Sequence, residues 1–146
     1  MKFSHLLIIL IVFSSCEIGS VFGPEIPKIE IEKKDSGLSW DKKGKRRYQG
    51  ELFSGYVVQK NQKNKILSKT PFYEGLREGD MIGYYSDATK RHQRPYLHGK
   101  KHGIHFGWYP NGSLKFEYYF KNGLSVGNHK EWYPNGSPLQ DRNYVN

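Results

Sequence analysis

From Ser113 to Phe120 the chain alternates with a period of two. Leu114, Phe116, Tyr118 and Phe120 fall on one side of the alternation, and Lys115, Glu117 and Tyr119 on the other. That is the signature of a half-buried β-strand. The preceding β-prone run, Ile104 to Tyr109, is separated from it by Tyr109-Pro110-Asn111-Gly112. Pro in the second place and Asn in the third suit a type I turn, and the Gly that follows can take positive φ as a bulge. A second break falls at Lys121-Asn122-Gly123. One unit is thus two antiparallel strands and two turns.

The same spacing recurs along the chain. Gly55, Gly79, Gly103 and Gly127 stand 24 residues apart, as do Gly75, Gly99 and Gly123 and the aromatics Phe72, Tyr96, Phe120 and Tyr144. The pairs Tyr84-Tyr85, Trp108-Tyr109 and Trp132-Tyr133 share that register, followed by Asp87-Ala88, Asn111-Gly112 and Asn135-Gly136. Stacked hairpin repeats give a meander, so the expected fold is all-β, an elongated antiparallel β-meander of ~24-residue hairpins in a single twisted sheet. Gly103 and Gly127, flanking turns, are expected to hold conformations or close contacts that a Cβ disfavours.

The repeat domain spans residues 38–146, with units at 51–74, 75–98, 99–122 and 123–146 and a partial copy at 38–50. In that copy Trp40-Asp41-Lys42-Lys43-Gly44 resembles Trp108-Tyr109-Pro110-Asn111-Gly112, four residues early relative to Gly55. The first complete unit carries Lys60-Asn61 where later units carry aromatics, as end units of an array do.

Ahead of the repeats, Leu6-Leu7-Ile8-Ile9-Leu10-Ile11-Val12-Phe13 is an uninterrupted apolar run. Eight residues rise about 12 Å as a helix, short of a ~30 Å hydrocarbon core, so residues 1–15 read as a secretory signal. Cys16, the sole cysteine, follows the small pair Ser14-Ser15. That arrangement resembles the lipobox of bacterial lipoproteins, which implies lipid attachment at Cys16 and an outer-membrane location in the cell envelope. Residues 16–37, with Pro24, Pro27 and a mixed-charge stretch, read as an extended tether, with a brief edge strand at Ile29/Ile31 as the alternative.

Composition agrees with the pattern. Aromatics make up 15% of the chain against 36% hydrophobic residues in all. Tyr, Phe and Trp suit a pleated surface, and so thin an aliphatic supply limits the core. The net charge of +9 favours anionic partners; it also simply keeps a protein soluble. Lys and Arg interleaved with aromatics suit single-stranded nucleic acid, but export makes that partner unexpected and an anionic lipid or glycan surface more plausible.

No catalytic constellation emerges. Asp80, Asp87, Glu117 and Glu131 are scattered over turns and a polar face, and neither a cofactor nor a metal is expected. His98, His102 and His105 are read as solvated turn residues, because a turn running into a strand does not converge three ligands. Successive strand residues point to opposite faces. If Tyr84, Trp108 and Trp132 pack with Phe116 and Phe120, then Tyr85, Tyr109 and Tyr133 form a stripe on the other side. That stripe is either a binding surface or a set of cross-strand stiffeners.

The combination of Gly-x-x-x-Gly, Trp/Tyr-Tyr, Asn-Gly and a closing aromatic, from Trp40 to Tyr144, resembles the MORN-repeat variant of bacterial proteins. Tyr48 to Val58 also resembles the opening segment of the YwqK-type antitoxin family. The resemblance implies an elongated hairpin array for protein or lipid contact, without a cofactor. The expected function is a non-enzymatic envelope lipoprotein, a scaffold contacting a protein, glycan or anionic lipid. The alternative is an antitoxin- or immunity-like protein that neutralises a cognate effector.

Overall fold

The computed structural model describes residues 23–145, so the leader and Cys16 lie outside the described residues. In chain order the strands are β1 (Glu30–Glu32), β2 (Leu38–Trp40), β3 (Arg46–Tyr48), β4 (Glu51–Leu52), β5 (Gly55–Lys60), β6 (Ile66–Tyr73), β7 (Leu76–Arg77) and β8 (Gly79–Tyr84). They continue as β9 (Lys90–Leu97), β10 (Lys100–Lys101), β11 (Gly103–Trp108), β12 (Leu114–Lys121), β13 (Leu124–Ser125), β14 (Gly127–Trp132) and β15 (Pro138–Tyr144). No helix occurs among the described residues. The long strands β5, β6, β8, β9, β11, β12, β14 and β15 neighbour one another in sequence order, antiparallel throughout. The fold is the open all-β meander that the alternation predicts.

Two turn designs alternate. In the first, Gly112 N donates to Tyr109 O and Tyr109 N to Ser113 O, both at 2.9 Å. Asn111 Oδ1 steadies the corner by accepting from Ser113 N at 3.1 Å. The equivalent backbone pair closes residues 41–45, 61–65, 85–89 and 133–137. In the second, two residues with positive φ join the strands: Glu74-Gly75, His98-Gly99 and Asn122-Gly123. That is the primed hairpin geometry, whose twist matches that of the strands. Gly103 and Gly127 hold φ of 72° and 63°, the left-handed region expected for them.

Opposed residues share a face of the sheet. Gly107 opposes Phe116, His105 opposes Tyr118 and Gly103 opposes Phe120. On this face, which we call the ring face, aromatic groups run from unit to unit. Tyr96 lies 5.8 Å from His105, His105 4.5 Å from Phe120, Phe120 5.3 Å from His129, and His129 4.4 Å from Tyr144. Trp108 is not among them. It stacks on Phe106 at 5.8 Å, and Phe106 opposes Glu117. The expectation that Trp108 packs with Phe116 and Phe120 is therefore corrected: two residues beyond Phe106, it keeps Phe106's face.

The N-terminal end is built differently. β1 pairs in parallel with β5, so the tether expected over residues 16–37 gives way to an edge strand at Glu30–Glu32. Tyr56 N donates to Ile29 O and Lys33 N to Val58 O, both at 2.7 Å, fixing both ends of the pairing. The partial copy forms a separate sheet, β2-β3-β4, fastened to the first unit by Arg46 N to Gly75 O at 2.7 Å and Gly75 N to Phe53 O at 2.8 Å. Between the two sheets Phe53, Val57 and Phe72 are buried, with Ile31, Leu38 and Tyr48 packed against them. Burying such side chains stabilises by roughly 1.5–3 kcal/mol each. This is the only two-layered core among the described residues.

Candidate functional site

The tyrosine column reaches from one unit to the next. Tyr85 Oη donates to Trp108 O at 2.7 Å, and Tyr109 Oη donates to Trp132 O at 2.9 Å. Both rings are half-buried, and Lys115 Nζ lies 5.2 Å from the Tyr109 ring centre. Tyr133, with no following hairpin among the described residues, is 48% exposed. The hydroxyls of Tyr85 and Tyr109 are thus committed within the fold, and only Tyr133 stands open.

The histidines do not behave alike. His98 sits in a primed turn, where its backbone N–H donates to Glu78 Oε2 at 2.6 Å. His102 is half-buried. His105 is 2% exposed, its Nε2 2.9 Å from Pro95 O and its ring between Tyr96 and Phe120. Reading His105 as a solvated turn residue is corrected: it occupies the buried position held by Val57 in the first unit. Burial, first of all, pushes its pKa down. No three His, Cys, Asp or Glu side chains gather around a possible metal position among the described residues. The acids are engaged locally: Asp80 Oδ2 accepts from Gln93 at 2.6 Å, and Glu131 Oε1 from the Tyr118 hydroxyl at 2.5 Å.

The chemistry gathers where the small N-terminal sheet meets the first unit. A pocket of about 320 Å³ opens on the ring face there. Its cations are Lys33, Arg46, Arg77 and Arg91, and no acidic side chain lines it among the described residues. Trp40, 50% exposed, forms a wall. The Arg46 and Arg77 guanidinium carbons lie 4.9 and 5.4 Å from its ring centre, within cation–π range. Arg77 also lies 6.0 Å from Phe72 and 5.5 Å from Tyr96. Gln59, Ser68 and Thr70 add hydrogen-bonding groups.

Three nitrogens of these lining residues are buried without a hydrogen-bond partner: Arg46 Nε, Arg77 Nε and His92 Nε2. Arg46 is only 8% exposed. Burial, and then the charge of Arg77, hold its pKa below the ordinary guanidinium value. A buried donor without an acceptor costs roughly 1–3 kcal/mol, and more when charged. Two like charges at one wall add to that cost. His92 is pushed down to about 4, chiefly by burial and then by Arg94 and Arg91, so at neutral pH its imidazole is uncharged.

Arg46 is visible in the sequence only as part of a basic cluster, and Arg77 and Trp40 stand apart from it. The available signal is a break in the repeat: Ser68 and Thr70 occupy the positions that Phe116 and Tyr118 fill two units later. The chain matches no protein-family model, no curated protein and no solved structure.

Proposed function

We propose that this protein is a non-enzymatic binding module of the bacterial envelope, a MORN-type hairpin array anchored through lipid on Cys16 that holds an anionic envelope component on its ring face. The observation that carries the reading is the cationic pocket: among the described residues, four basic side chains and no acid line one solvent-open site. Such a surface favours anions both on approach and once bound. The apolar run before Cys16 and the small residues preceding that thiol support the anchor, since two acyl chains hold a protein at a membrane where one holds it marginally.

A second reading, an immunity-like protein that binds a cognate effector, draws on the far end of the sheet. β15 ends the strand order, and Tyr133, Leu139 and Val145 are exposed beside it. An open strand edge with apolar neighbours suits pairing with another chain.

Two measurements test the first reading. Cys16→Ala is expected to release the protein into the soluble envelope fraction; unchanged partition into detergent would sink the anchor. The full chain in non-ionic detergent is expected to be retained on immobilised polygalacturonate, and not on neutral dextran, with retention falling as salt rises. Equal retention on both matrices removes the anionic partner.

A further inference from the structure

The pocket's geometry narrows the ligand, given the binding-module reading on which this step rests. We infer that Arg46 and Arg77 grip a single oxyanion, the carboxylate or phosphate of one acidic saccharide unit, whose ring lies against Trp40.

Three features lead there. The first is the pair of arginines. Arginine presents a planar fork of donors that matches an oxyanion in a bidentate way. Here two forks flank one indole, each with a buried Nε lacking an acceptor among the described residues. Arg46 makes no ion pair among the described residues, and the charge its surroundings press upon it is that of Arg77. The two guanidinium groups repel each other, and one shared anion relieves both the repulsion and the unmet donors. Structural arginines in a core of this kind ordinarily bring a carboxylate with them; these two do not.

The second feature is the wall. An indole half open to solvent, next to hydroxyl- and amide-bearing side chains, offers an apolar plate and polar groups in one small space. A saccharide ring has that same division, C–H groups on one face and hydroxyls around its rim. Trp40 covers the first, while Ser68, Thr70 and Gln59 meet the second. Gln59 is itself oriented by Lys33, whose Nζ donates to its Oε1 at 3.3 Å.

The third feature is size. About 320 Å³ stands at the lower end of small-ligand pockets and admits one ring, not a helix or a folded partner. The later units supply the contrast. Phe116 and Tyr118, stacked at 4.6 Å, fill the positions that Ser68 and Thr70 leave open. Among the described units, only the first places two small hydroxyl residues at these positions.

The test uses the full chain in non-ionic detergent, titrated with glucuronate, glucose 1-phosphate and, as the neutral control, glucose. Binding of one or both acids at one site, weakened by salt, and no binding of glucose is the expected result. Arg77→Gln is expected to weaken binding by about tenfold or more, as loss of a charged hydrogen bond does. The same substitution removes a like-charge contact and, against it, the cation–π contacts of Arg77, so the ligand-free variant should melt close to the wild-type temperature. A structural arginine would move that temperature down. Arg46→Lys keeps the charge but loses Nε and the fork, and is expected to fold and bind more weakly than wild type. Trp40→Ala is expected to weaken both acids together.

Glucose binding as well as the acids, or Arg77→Gln and Arg46→Lys binding as wild type does, overturns the inference. So does saturable binding to phosphatidylglycerol vesicles with neither small acid bound. Retention of wild type and Arg77→Gln alike on polygalacturonate, without binding of either small acid, defeats the pocket while the binding-module reading stands. Small-acid binding lost in Arg77→Gln, without any retention on the polymer, does the reverse.

Discussion

In the third unit Phe116 lies flat against Gly107: a Cβ built there would meet the ring at 2.1 Å. Tyr118 stacks beside it, and His105 is buried below Phe120 and Tyr96. In the first unit the corresponding positions hold Gln59, Ser68, Thr70 and Val57. None of those four positions carries a ring there, and the β2-β3-β4 sheet folds over the end of the strands instead. The hairpins, turns and register are the same in both. What differs is the filling of one face, by rings in a single layer at one end and by a second layer with a polar pocket at the other. A repeat supplies the backbone; departures from the repeat supply the chemistry.

The two ends should respond differently to loss of a ring. Phe53 is buried between two sheets, whereas Phe120 is half-buried on one. Phe53→Ala is expected to cost about 3–5 kcal/mol, the range for a buried aromatic. Phe120→Ala should cost about half as much, because water already reaches part of its ring. Denaturant unfolding of both variants checks this. Equal losses would mean that the ring ladder is as dry as the two-layered core.

The second unit stands between these designs, with His92 where the first has Ser68 and the third Phe116. Its ring covers Gly83, where a Cβ would meet it at 2.2 Å. The folded pKa of about 4 lies below the ordinary value near 6.5. Above pH 6.5 the ring is neutral in the folded and unfolded chains alike, and its contribution is fully present. As pH falls from about 6.5 toward 4 the unfolded chain takes up the proton and the folded chain resists it. Stability should drop by about 3 kcal/mol across that window. His92→Phe, which copies the third unit, should flatten this part of the pH profile relative to wild type. An unchanged slope would place the titration elsewhere.

The tyrosine column offers a comparison within one position. Tyr109 bonds the next unit through its hydroxyl, whereas Tyr133 is 48% exposed. Tyr109→Phe is expected to cost about 1 kcal/mol, the net value of a hydrogen bond. Tyr133→Phe should stay within about 0.5 kcal/mol, as exposed substitutions do. If the two match, the Tyr109 hydroxyl contributes nothing to joining the units.

Much of the fold was legible because its determinants are local. Alternation, Asn-Gly corners and the 24-residue spacing each lie within a few residues, and turn chemistry converts them directly into hairpins. The partial copy at Trp40 was legible as a repeat but not as a cover, since docking of β2-β3-β4 depends on Phe53 and Gly75 meeting Arg46 across the chain. β1 was obscured for a related reason: three residues, two of them acidic, pair with β5 through backbone groups, which sequence does not distinguish. The pocket was hidden twice over. Arg46 resembles any surface cation until β3 is buried, and Arg77 becomes its neighbour only in the folded chain. The face of Trp108 was hidden because an adjacent aromatic pair does not say which of its two members faces Phe116; only the stacking of Trp108 on Phe106 in the folded chain decides it.

The smallest effect concerns the one long-unit turn that departs from the expected Asn-Gly or its left-handed equivalent. Ala88 holds φ of 71°, beside 83° for Gly112 and 82° for Gly136 at the same turn position. The backbone hydrogen bonds are retained: Ala88 N donates to Tyr85 O at 3.0 Å, as Gly112 N does to Tyr109 O at 2.9 Å. Asp87 Oδ1 still accepts from Thr89 N at 2.9 Å. The corner is therefore imposed on a residue whose Cβ opposes it, at a cost of about 1–2 kcal/mol. Ala88→Gly removes that strain and returns roughly 0.4–1 kcal/mol of it as added freedom in the unfolded chain. The net expectation is a gain of about 0.5 kcal/mol, with a higher denaturation midpoint and an unchanged slope. Gly112→Ala makes the converse change and should lose about 0.5 kcal/mol. A lower midpoint for Ala88→Gly would mean that the Ala88 methyl group stabilises the turn by more than its left-handed backbone costs.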